Sequence, residues 1–208
     1  MSPAPLTRAA PRKRRIEASD LMSMETYGKE RKTRRTEISA LKRNRRVEVG
    51  QFATFYFESY ETMWMQIHEM LYIERGGPEQ VPGELAAYNP LIPQGRELIA
   101  TLMFEIEDPV ARARALTRLG HAEDTIELDI GGRVVKGESA DQGTDRTTEE
   151  GKTSSVHFIR FRLDDEAVHR FKTAGTRVVL GFTHPNYSHM AVVPDIVRAA
   201  LAEDLDPA

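Results

Sequence analysis

The sequence contains no cysteine, and this absence removes several classes of function. A chain without thiols has no disulfide framework and no cysteine ligands for an iron–sulfur cluster, so any redox chemistry would need centres held by another molecule. Aromatic residues make up only 7% of the chain, and Trp64 is the single tryptophan. No run of 18 apolar residues is present, so the sequence predicts no membrane span. The basic N-terminus lacks the apolar stretch of a secretory signal, which favours a cytoplasmic protein.

Standard enzyme signatures are also missing from the sequence. The segment from His68 to Tyr72 begins like the zinc-protease helix motif His-Glu-x-x-His, but tyrosine stands where the second metal ligand is needed. Neither the dinucleotide-binding G-x-G-x-x-G nor the nucleophile elbow G-x-S-x-G occurs. The sequence alone therefore identifies no reaction, no cofactor and no metal site, and it leaves open whether the protein is an enzyme.

The charges are distributed unevenly along the chain. Residues 1–46 hold 14 of the 29 Lys and Arg but only five of the 32 Asp and Glu, a formal charge of +9, which leaves −12 on the remainder. The predicted basic surface consists of Arg31, Lys32, Arg34, Arg35, Lys42, Arg43, Arg45 and Arg46. Such a surface can bind nucleic acid, dock onto an acidic partner or the acidic part of the same fold, or simply be solvated. Nucleic acid is the least favoured, because only Tyr27 offers a stacking ring among these charges.

The composition, with 40% hydrophobic and 29% charged residues, is typical of one globular domain. We expect residues 1–17, which are rich in proline and arginine, to form a disordered basic tail, and residues 18–208 to form the domain. The domain begins with a helical and hairpin segment. Ser19-Asp20 can cap a short helix, and a basic helix is predicted at about 28–42. A two-residue hairpin follows at Gly50-Gln51.

The rest of the chain predicts helices alternating with strands. Ser59 is placed to cap a helix of about 60–75, and strand 97–106 is apolar on both faces, as in a central strand covered on both sides. The succession of strand, helix and strand pair occurs at 97–136 and again at 154–193. The predicted fold class is therefore α+β, a largely antiparallel sheet with helices, and two βαββ halves are a hypothesis for its architecture.

The helix predicted at 60–75 places polar groups where apolar ones are expected. At 100° per residue, Glu74 falls on the same stripe as Ile67, which predicts a carboxylate on the packing side. Gln66 and Glu69 project together from an adjacent strip, three residues apart, a spacing at which two side chains can meet one ligand. The alternative is that Glu74 swings outward or pairs with an arginine while the other two are solvated.

Three further residues complete a candidate pocket. Tyr88 combines a ring with a hydroxyl, and Asn89 precedes Pro90 in a turn. His157 shares a strand face with Ile159, so it is either a hydrogen-bonded structural residue or an acid–base or ligating group. The predicted pocket or partner-binding residues are Gln66, Glu69, Glu74, Tyr88, Asn89 and His157.

Six distinctive segments carry a resemblance to a known family. They are SDLMSMETY at 19–27, KRNRRVEVG at 42–50, QIHEMLYIE at 66–74, ELAAYNPLIP at 84–93, ATLMFEI at 100–106 and KTSSVHFIRF at 152–161. With them, the chain from Ala18 to Leu205 resembles the bacterial family catalogued as domain of unknown function 3501. The resemblance implies no particular reaction. Members are often encoded beside a rubrerythrin-like diiron protein and an iron–sulfur oxidoreductase, which implies a role in redox or peroxide defence.

These observations leave three functional hypotheses. The resemblance favours an accessory protein that binds a rubrerythrin-like diiron protein or an iron–sulfur oxidoreductase, through the Gln66–Glu74 helix or the basic 28–46 segment. The second hypothesis is a small enzyme or metal-binding protein that uses the candidate polar pocket. The third is a nucleic-acid-associated protein. A homodimer is compatible with each of them.

Overall fold

The computed structural model describes residues 13–141, 146–148 and 151–207, and it contains an eight-stranded antiparallel sheet that curls almost into a barrel. The strands are β1 (Arg46–Val49), β2 (Ala53–Phe57), β3 (Glu97–Phe104), β4 (Ile126–Ile130), β5 (Arg133–Ser139), β6 (Val156–Arg162), β7 (Val178–Phe182) and β8 (Met190–Val192). The α-helices are α1 (Met24–Arg43), α2 (Tyr60–Glu74), α3 (Val81–Tyr88), α4 (Pro109–Arg118), α5 (Asp165–Lys172) and α6 (Asp195–Ala202). The predicted α+β class with a largely antiparallel sheet is confirmed.

Local sequence features explain several element boundaries. The Ser59 side chain accepts the backbone N–H of Thr62 and so begins α2, and the Asp108 side chain caps α4 in the same way. Between β4 and β5, Gly131 and Gly132 have φ angles of 59° and 88°. Positive φ at both central residues is what a two-residue type I′ turn requires, so the two glycines allow this hairpin to form.

The first helices begin at different residues from those predicted. Ser19 and Asp20 lie in a short 3-10 helix, whereas the cap of α1 is Ser23, whose side chain accepts the N–H of Thr26. Helix α1 therefore begins at Met24, about one turn before the predicted start.

The segment before residue 18 is in part packed against the fold. Residues 1–12 of the expected 1–17 tail lie outside the described residues. Ile16 is fully buried, and the Asn89 side chain accepts its N–H at 2.8 Å and donates to its C=O at 3.0 Å. Arg14 forms an ion pair with Asp206. Residues 13–17 are therefore held against the fold, with Ile16 as an apolar anchor within the basic sequence.

The strands follow the order β1-β2-β3-β6-β5-β4-β7-β8. Both 97–136 and 154–193 contain the predicted succession of strand, helix and strand pair. In the first segment β5 lies between β4 and the starting strand β3, whereas in the second β8 lies beyond β7, at the end of the sheet. The two hairpins do not occupy equivalent places, and an internal duplication stays a hypothesis.

Alternation along the strands gives the sheet two apolar faces. The interior of the curled sheet holds an inner cluster that includes Phe55, Leu98, Leu102, Phe104, Ile159, Phe161, Phe171, Leu180, Phe182 and Leu201. The opposite face carries an outer cluster of Ile16, Met63, Ile67, Leu71, Leu91, Ile92, Ile99 and Ala140, beneath α2. Since β3 contributes Leu98 to the inner cluster and Ile99 to the outer one, it is covered on both sides, as its sequence predicted.

Arg45, immediately before β1, is buried and joins distant parts of the chain. Its guanidinium donates to the backbone oxygens of Phe57 (3.0 Å) and Glu58 (2.8 Å) and forms a buried ion pair with Asp204, beyond α6. Arg45 therefore does not belong to the predicted basic surface. Its charge is buried because carbonyl oxygens and a carboxylate replace the water that it loses.

Tyr187 closes the gap between the two ends of the sheet. Strand β1 lies beside β8, and the Tyr187 hydroxyl reaches the β1–β2 connection. It donates to the Val49 carbonyl at 2.7 Å and accepts the N–H groups of Phe52 and Ala53 at 3.2 Å. Because Val49 pairs with Ala53, this connection has three residues rather than the predicted two. One hydroxyl thus satisfies backbone groups that no neighbouring strand reaches.

We expect Tyr187→Phe to lower the free energy of unfolding by about 1–3 kcal/mol, because it leaves the Val49 carbonyl and two N–H groups without their partner. Urea unfolding followed by circular dichroism measures the change. Tyr72→Phe is the matched control, since the Tyr72 ring lies 4.9 Å from the Arg31 guanidinium but its hydroxyl bonds to no described residue. Equal stability of the two variants would contradict the closing role of Tyr187.

Candidate functional site

A cavity of about 320 Å³ lies on the outer face of the sheet, between its strands and helices α2 and α3. Its polar lining consists of Lys42, Tyr56, Glu58, Gln66, Tyr88 and Thr101. Its apolar lining consists of Met63, Leu91, Met103, Val156 and Phe158. We call this cavity the Glu58 pocket.

Strand alternation explains why polar residues meet in this pocket. Along β2, Phe55 and Phe57 point into the inner cluster, so Tyr56 and the following Glu58 face the outer side. Along β3, Thr101 occupies the outer face for the same reason. Helix α2 starts directly after Glu58 and turns back over this face, which covers these polar groups instead of leaving them in solvent.

Glu58 is the acidic residue of the pocket lining, and only 4% of the residue is exposed. One carboxylate oxygen accepts the hydroxyl of Thr101 at 2.6 Å, and the other accepts the hydroxyl of Thr62 at 2.5 Å. Among the described residues, no lysine, arginine or histidine forms an ion pair with it. A carboxylate offers about four acceptor positions, so the two hydroxyls leave further positions unused.

Lys42 brings the opposite charge to the same pocket. It lies in the last turn of α1 and is half-buried. Its ammonium group makes no ion pair with Glu58 or with any other residue that the structure describes. The Glu58 pocket therefore contains a carboxylate and an ammonium group, neither of which is neutralised by a charge from the described protein.

Two of the residues predicted for a pocket lie together in this one. Gln66 of α2 donates to the hydroxyl of Tyr88, at the end of α3, at 3.5 Å. Sequence reasoning missed Glu58 and Thr101, which complete the polar lining. The alternation from Phe55 to Glu58 indicated which face Glu58 occupies, but nothing local indicated that a helix covers that face.

Glu69 lies on another side of α2, where it joins α1. The Arg31 guanidinium donates to both of its oxygens at 2.8 Å, and the Tyr27 hydroxyl donates to one of them. The Arg31 hydrogen bonds, together with that from Tyr27, lower the pKa of Glu69 to about 2. Gln66 and Glu69 therefore do not converge on one group, and Glu69 connects the two helices.

Glu74 and Asn89 lie away from the Glu58 pocket. Glu74 is exposed and accepts a hydrogen bond from Gln80 at 2.7 Å, so the expectation that it occupies the packing side is wrong. It lies in the last turn of α2, beyond the part of the helix that the sheet covers. Asn89 uses its side-chain amide to hold the backbone of Ile16.

His157 lies on the opposite face of the sheet from the Glu58 pocket. Its neighbours along β6, Val156 and Phe158, line the pocket, so alternation turns the imidazole into the barrel interior. Its Nε2 lies 2.9 Å from the Ser154 carbonyl, and its Nδ1 lies 3.8 Å from Glu123. Burial lowers the pKa of His157. The strand separates His157 from Gln66 and Glu69, so these residues form no common site.

The predicted basic surface is partly neutralised by the fold itself. Arg31 pairs with Glu69, Arg34 with Glu30 and Glu37, Arg45 with Asp204, and Arg46 with Glu48. Lys32, Arg35, Lys42 and Arg43 make no ion pair with any described residue. Lys42 is half-buried, whereas the other three are exposed on the solvent side of α1. The remaining basic surface is therefore smaller than the sequence suggested.

The described part of the chain contains neither a metal-ligand cluster nor a membrane-spanning helix. No three His, Asp or Glu side chains within it are grouped as metal ligands would be. No helix within it is long and apolar enough to cross a membrane.

Comparisons with known proteins agree with the resemblance seen in the sequence. The model of a family described as protein of unknown function (DUF3501) matches residues 15–205. The chain belongs to this family. A match among solved structures is the 1.90 Å crystal structure of a protein of unknown function from Burkholderia pseudomallei K96243, which is 36% identical. That match covers 92% of this chain and 99% of the other, with a TM-score of 0.85. No functionally curated protein matches the chain.

The lowered pKa of Glu69 gives a pH-dependent prediction. Because the folded state binds the Glu69 proton more weakly than the unfolded state, the ion pair stabilises the fold above about pH 4.5, and this contribution is lost as the pH falls towards 2. We expect Glu69→Gln to remove this component. The free energy of unfolding of this variant should therefore fall less steeply than that of wild type as the pH falls below about 4.5.

Urea unfolding between pH 5 and the lowest pH at which the protein is folded measures the slope. Glu74→Gln is the matched control, because it also neutralises one carboxylate of α2 but breaks only an exposed hydrogen bond. Parallel curves for the two variants would show that the Arg31 contact does not set the acid response.

Proposed function

We propose that the protein binds a small organic ligand in the Glu58 pocket. The observation that carries this proposal is the buried carboxylate of Glu58, which only two hydroxyls contact and which no cation of the described residues neutralises. A buried carboxylate without a cationic partner is destabilising, and a ligand that supplies a cation or further hydrogen-bond donors relieves this cost.

The size and lining of the pocket support the same proposal. Small-molecule sites commonly have volumes of roughly 300–1,000 Å³ and combine apolar walls with a few polar groups that fix the ligand's orientation. The Glu58 pocket, at about 320 Å³, lies at the lower end of this range.

A ligand of the Glu58 pocket should raise the melting temperature of the full chain. A compound present at about 100 times its Kd stabilises the folded state by about 2.7 kcal/mol, which for a chain of this length is roughly 5–10 °C. We expect a thermal-shift screen of charged and polar metabolites to give such compounds for the wild-type chain.

Two variants test whether the compounds found by the screen bind in the Glu58 pocket. Glu58→Gln should abolish the shift, because it removes the charge while keeping the size, an oxygen that accepts one threonine hydroxyl, and an amide group that can donate to the other. Glu74→Gln, outside the pocket, should leave the shift unchanged. Compounds that shift wild type and Glu58→Gln equally would locate binding elsewhere and contradict the proposal.

A second candidate function is the docking of a redox partner onto α1. It is favoured by Lys32, Arg35 and Arg43, which are exposed on the solvent side of α1 and make no ion pair with the described residues. Unpaired cations on one helix face complement an acidic protein surface. The family resemblance supplies the partner class, a rubrerythrin-like diiron protein or an iron–sulfur oxidoreductase. In this role the chain would be an accessory protein, and the partner would hold the redox centre.

Charge reversal on α1 tests this docking with purified partners. We expect Arg35→Glu together with Arg43→Glu to weaken binding of the neighbouring diiron protein or oxidoreductase at least about tenfold at 0.15 M salt, since each reversal replaces attraction by repulsion. Surface plasmon resonance measures the Kd. The control pair is Arg114→Glu with Arg118→Glu on α4, which changes net charge equally.

The two pairs of reversals distinguish a specific surface from a general charge effect. If the α4 pair weakens binding as much as the α1 pair, only the net charge of the chain matters, and α1 is not the docking surface. A cytoplasmic location and a homodimer stay predictions from the sequence.

A further inference from the structure

The Glu58 pocket contains opposite charges that come from different parts of the chain. Glu58 follows β2 and is held by the hydroxyls of Thr62 and Thr101, whereas Lys42 enters from the end of α1. They make no ion pair with each other, although both line a cavity of about 320 Å³. A ligand in this cavity can therefore contact both a carboxylate and an ammonium group.

The rest of the pocket wall includes a large apolar part. Met63, Leu91, Met103, Val156 and Phe158 line it. Burying an apolar group against such a wall is favourable in proportion to the area removed from water. The pocket thus combines three requirements: an anionic contact, a cationic contact and an apolar surface.

We propose that the ligand is a small zwitterion with an apolar body, the chemistry of an apolar α-amino acid. This inference rests on the proposed binding function and specifies its ligand. The ligand's ammonium group binds Glu58, its carboxylate binds Lys42, and its apolar body contacts the methionine, leucine, valine and phenylalanine side chains. Gln66 and the Tyr88 hydroxyl, which also line the pocket, provide further polar contacts.

A ligand with only one of these charges leaves either Lys42 or Glu58 without an oppositely charged partner. An amine without a carboxylate pairs with Glu58 but leaves Lys42 unpaired. A carboxylate without an amine pairs with Lys42 but leaves the more deeply buried Glu58 uncompensated. Charge-assisted hydrogen bonds are the stronger ones, so the zwitterion should gain from two such contacts.

Matched sets of three compounds test the proposal by isothermal titration calorimetry on the full chain at pH 7. One set is leucine, 3-methylbutylamine and 4-methylpentanoate, which share one apolar body and differ only in their charged groups. A second set is phenylalanine, 2-phenylethylamine and 3-phenylpropanoate. In at least one set, we expect the amino acid to bind at least about tenfold more tightly than either singly charged compound.

Two variants separate the contributions of the charged residues. Lys42→Met should reduce the amino acid to the affinity of the amine, because it removes the ammonium group and keeps most of the side chain's apolar stem. Glu58→Gln should reduce the amino acid to the affinity of the carboxylate. Lys32→Met, at an exposed position of the same helix, should leave all affinities unchanged and controls for net charge.

The outcomes distinguish this inference from the proposed function. If neither set shows an advantage for the amino acid, or if Lys42→Met retains that advantage, the zwitterion is overturned. A thermal-shift compound that depends on Glu58 and is not a zwitterion would then leave the binding function standing. Absence of both results would overturn the binding function as well. Since Lys42 lies at the pocket lining and outside both apolar clusters, its variant remains informative even if Glu58→Gln folds poorly.

Discussion

The buried ion pair between Arg45 and Asp204 is the interaction on which the arrangement of the rest depends. It connects the junction of α1 and β1 to the chain beyond α6, and the same guanidinium binds the carbonyl oxygens at the end of β2. A buried ion pair overcomes its desolvation cost only with such additional hydrogen bonds. Because one of these bonds goes to the backbone of Glu58, the contact that fixes the ends of the fold also positions the carboxylate of the pocket.

Closure of the sheet follows from the same constraint. An open antiparallel sheet has two edges with unpaired backbone groups, which invite pairing with other chains. Here Arg45 draws the C-terminal residues towards β1, and Tyr187 binds the backbone at the β1–β2 connection. Helices α4, α5 and α6 contribute side chains to the inner cluster, whereas the outer face, along β2, β3 and β6, is covered by α2 and α3. The Glu58 pocket lies between this outer face and the two helices that cover it.

The local sequence pattern predicts where helices and strands form, but it does not predict which residues far apart in the chain come into contact. Ser59 and the Gly131-Gly132 pair act within a few residues, so the start of α2 and the β4–β5 hairpin were predictable. Arg45 looked like one more member of a basic run, because its partner Asp204 lies 159 residues away. The site was predicted only in part for the same reason. Gln66 was identified from its helix, but Glu58 is buried by tertiary packing that no local period encodes.

The two apolar clusters lie on opposite faces of one sheet, and this separation bears on how the pocket can change. The inner cluster and the closing contacts maintain the scaffold, whereas the side chains that line the Glu58 pocket belong to the outer layer. A substitution at Met103 or Phe158 changes the shape of the pocket while the alternate residues of the same strands continue to hold the barrel. The shape of the pocket can therefore change while the architecture is kept, because the pocket lining and the inner cluster occupy opposite faces of the same strands.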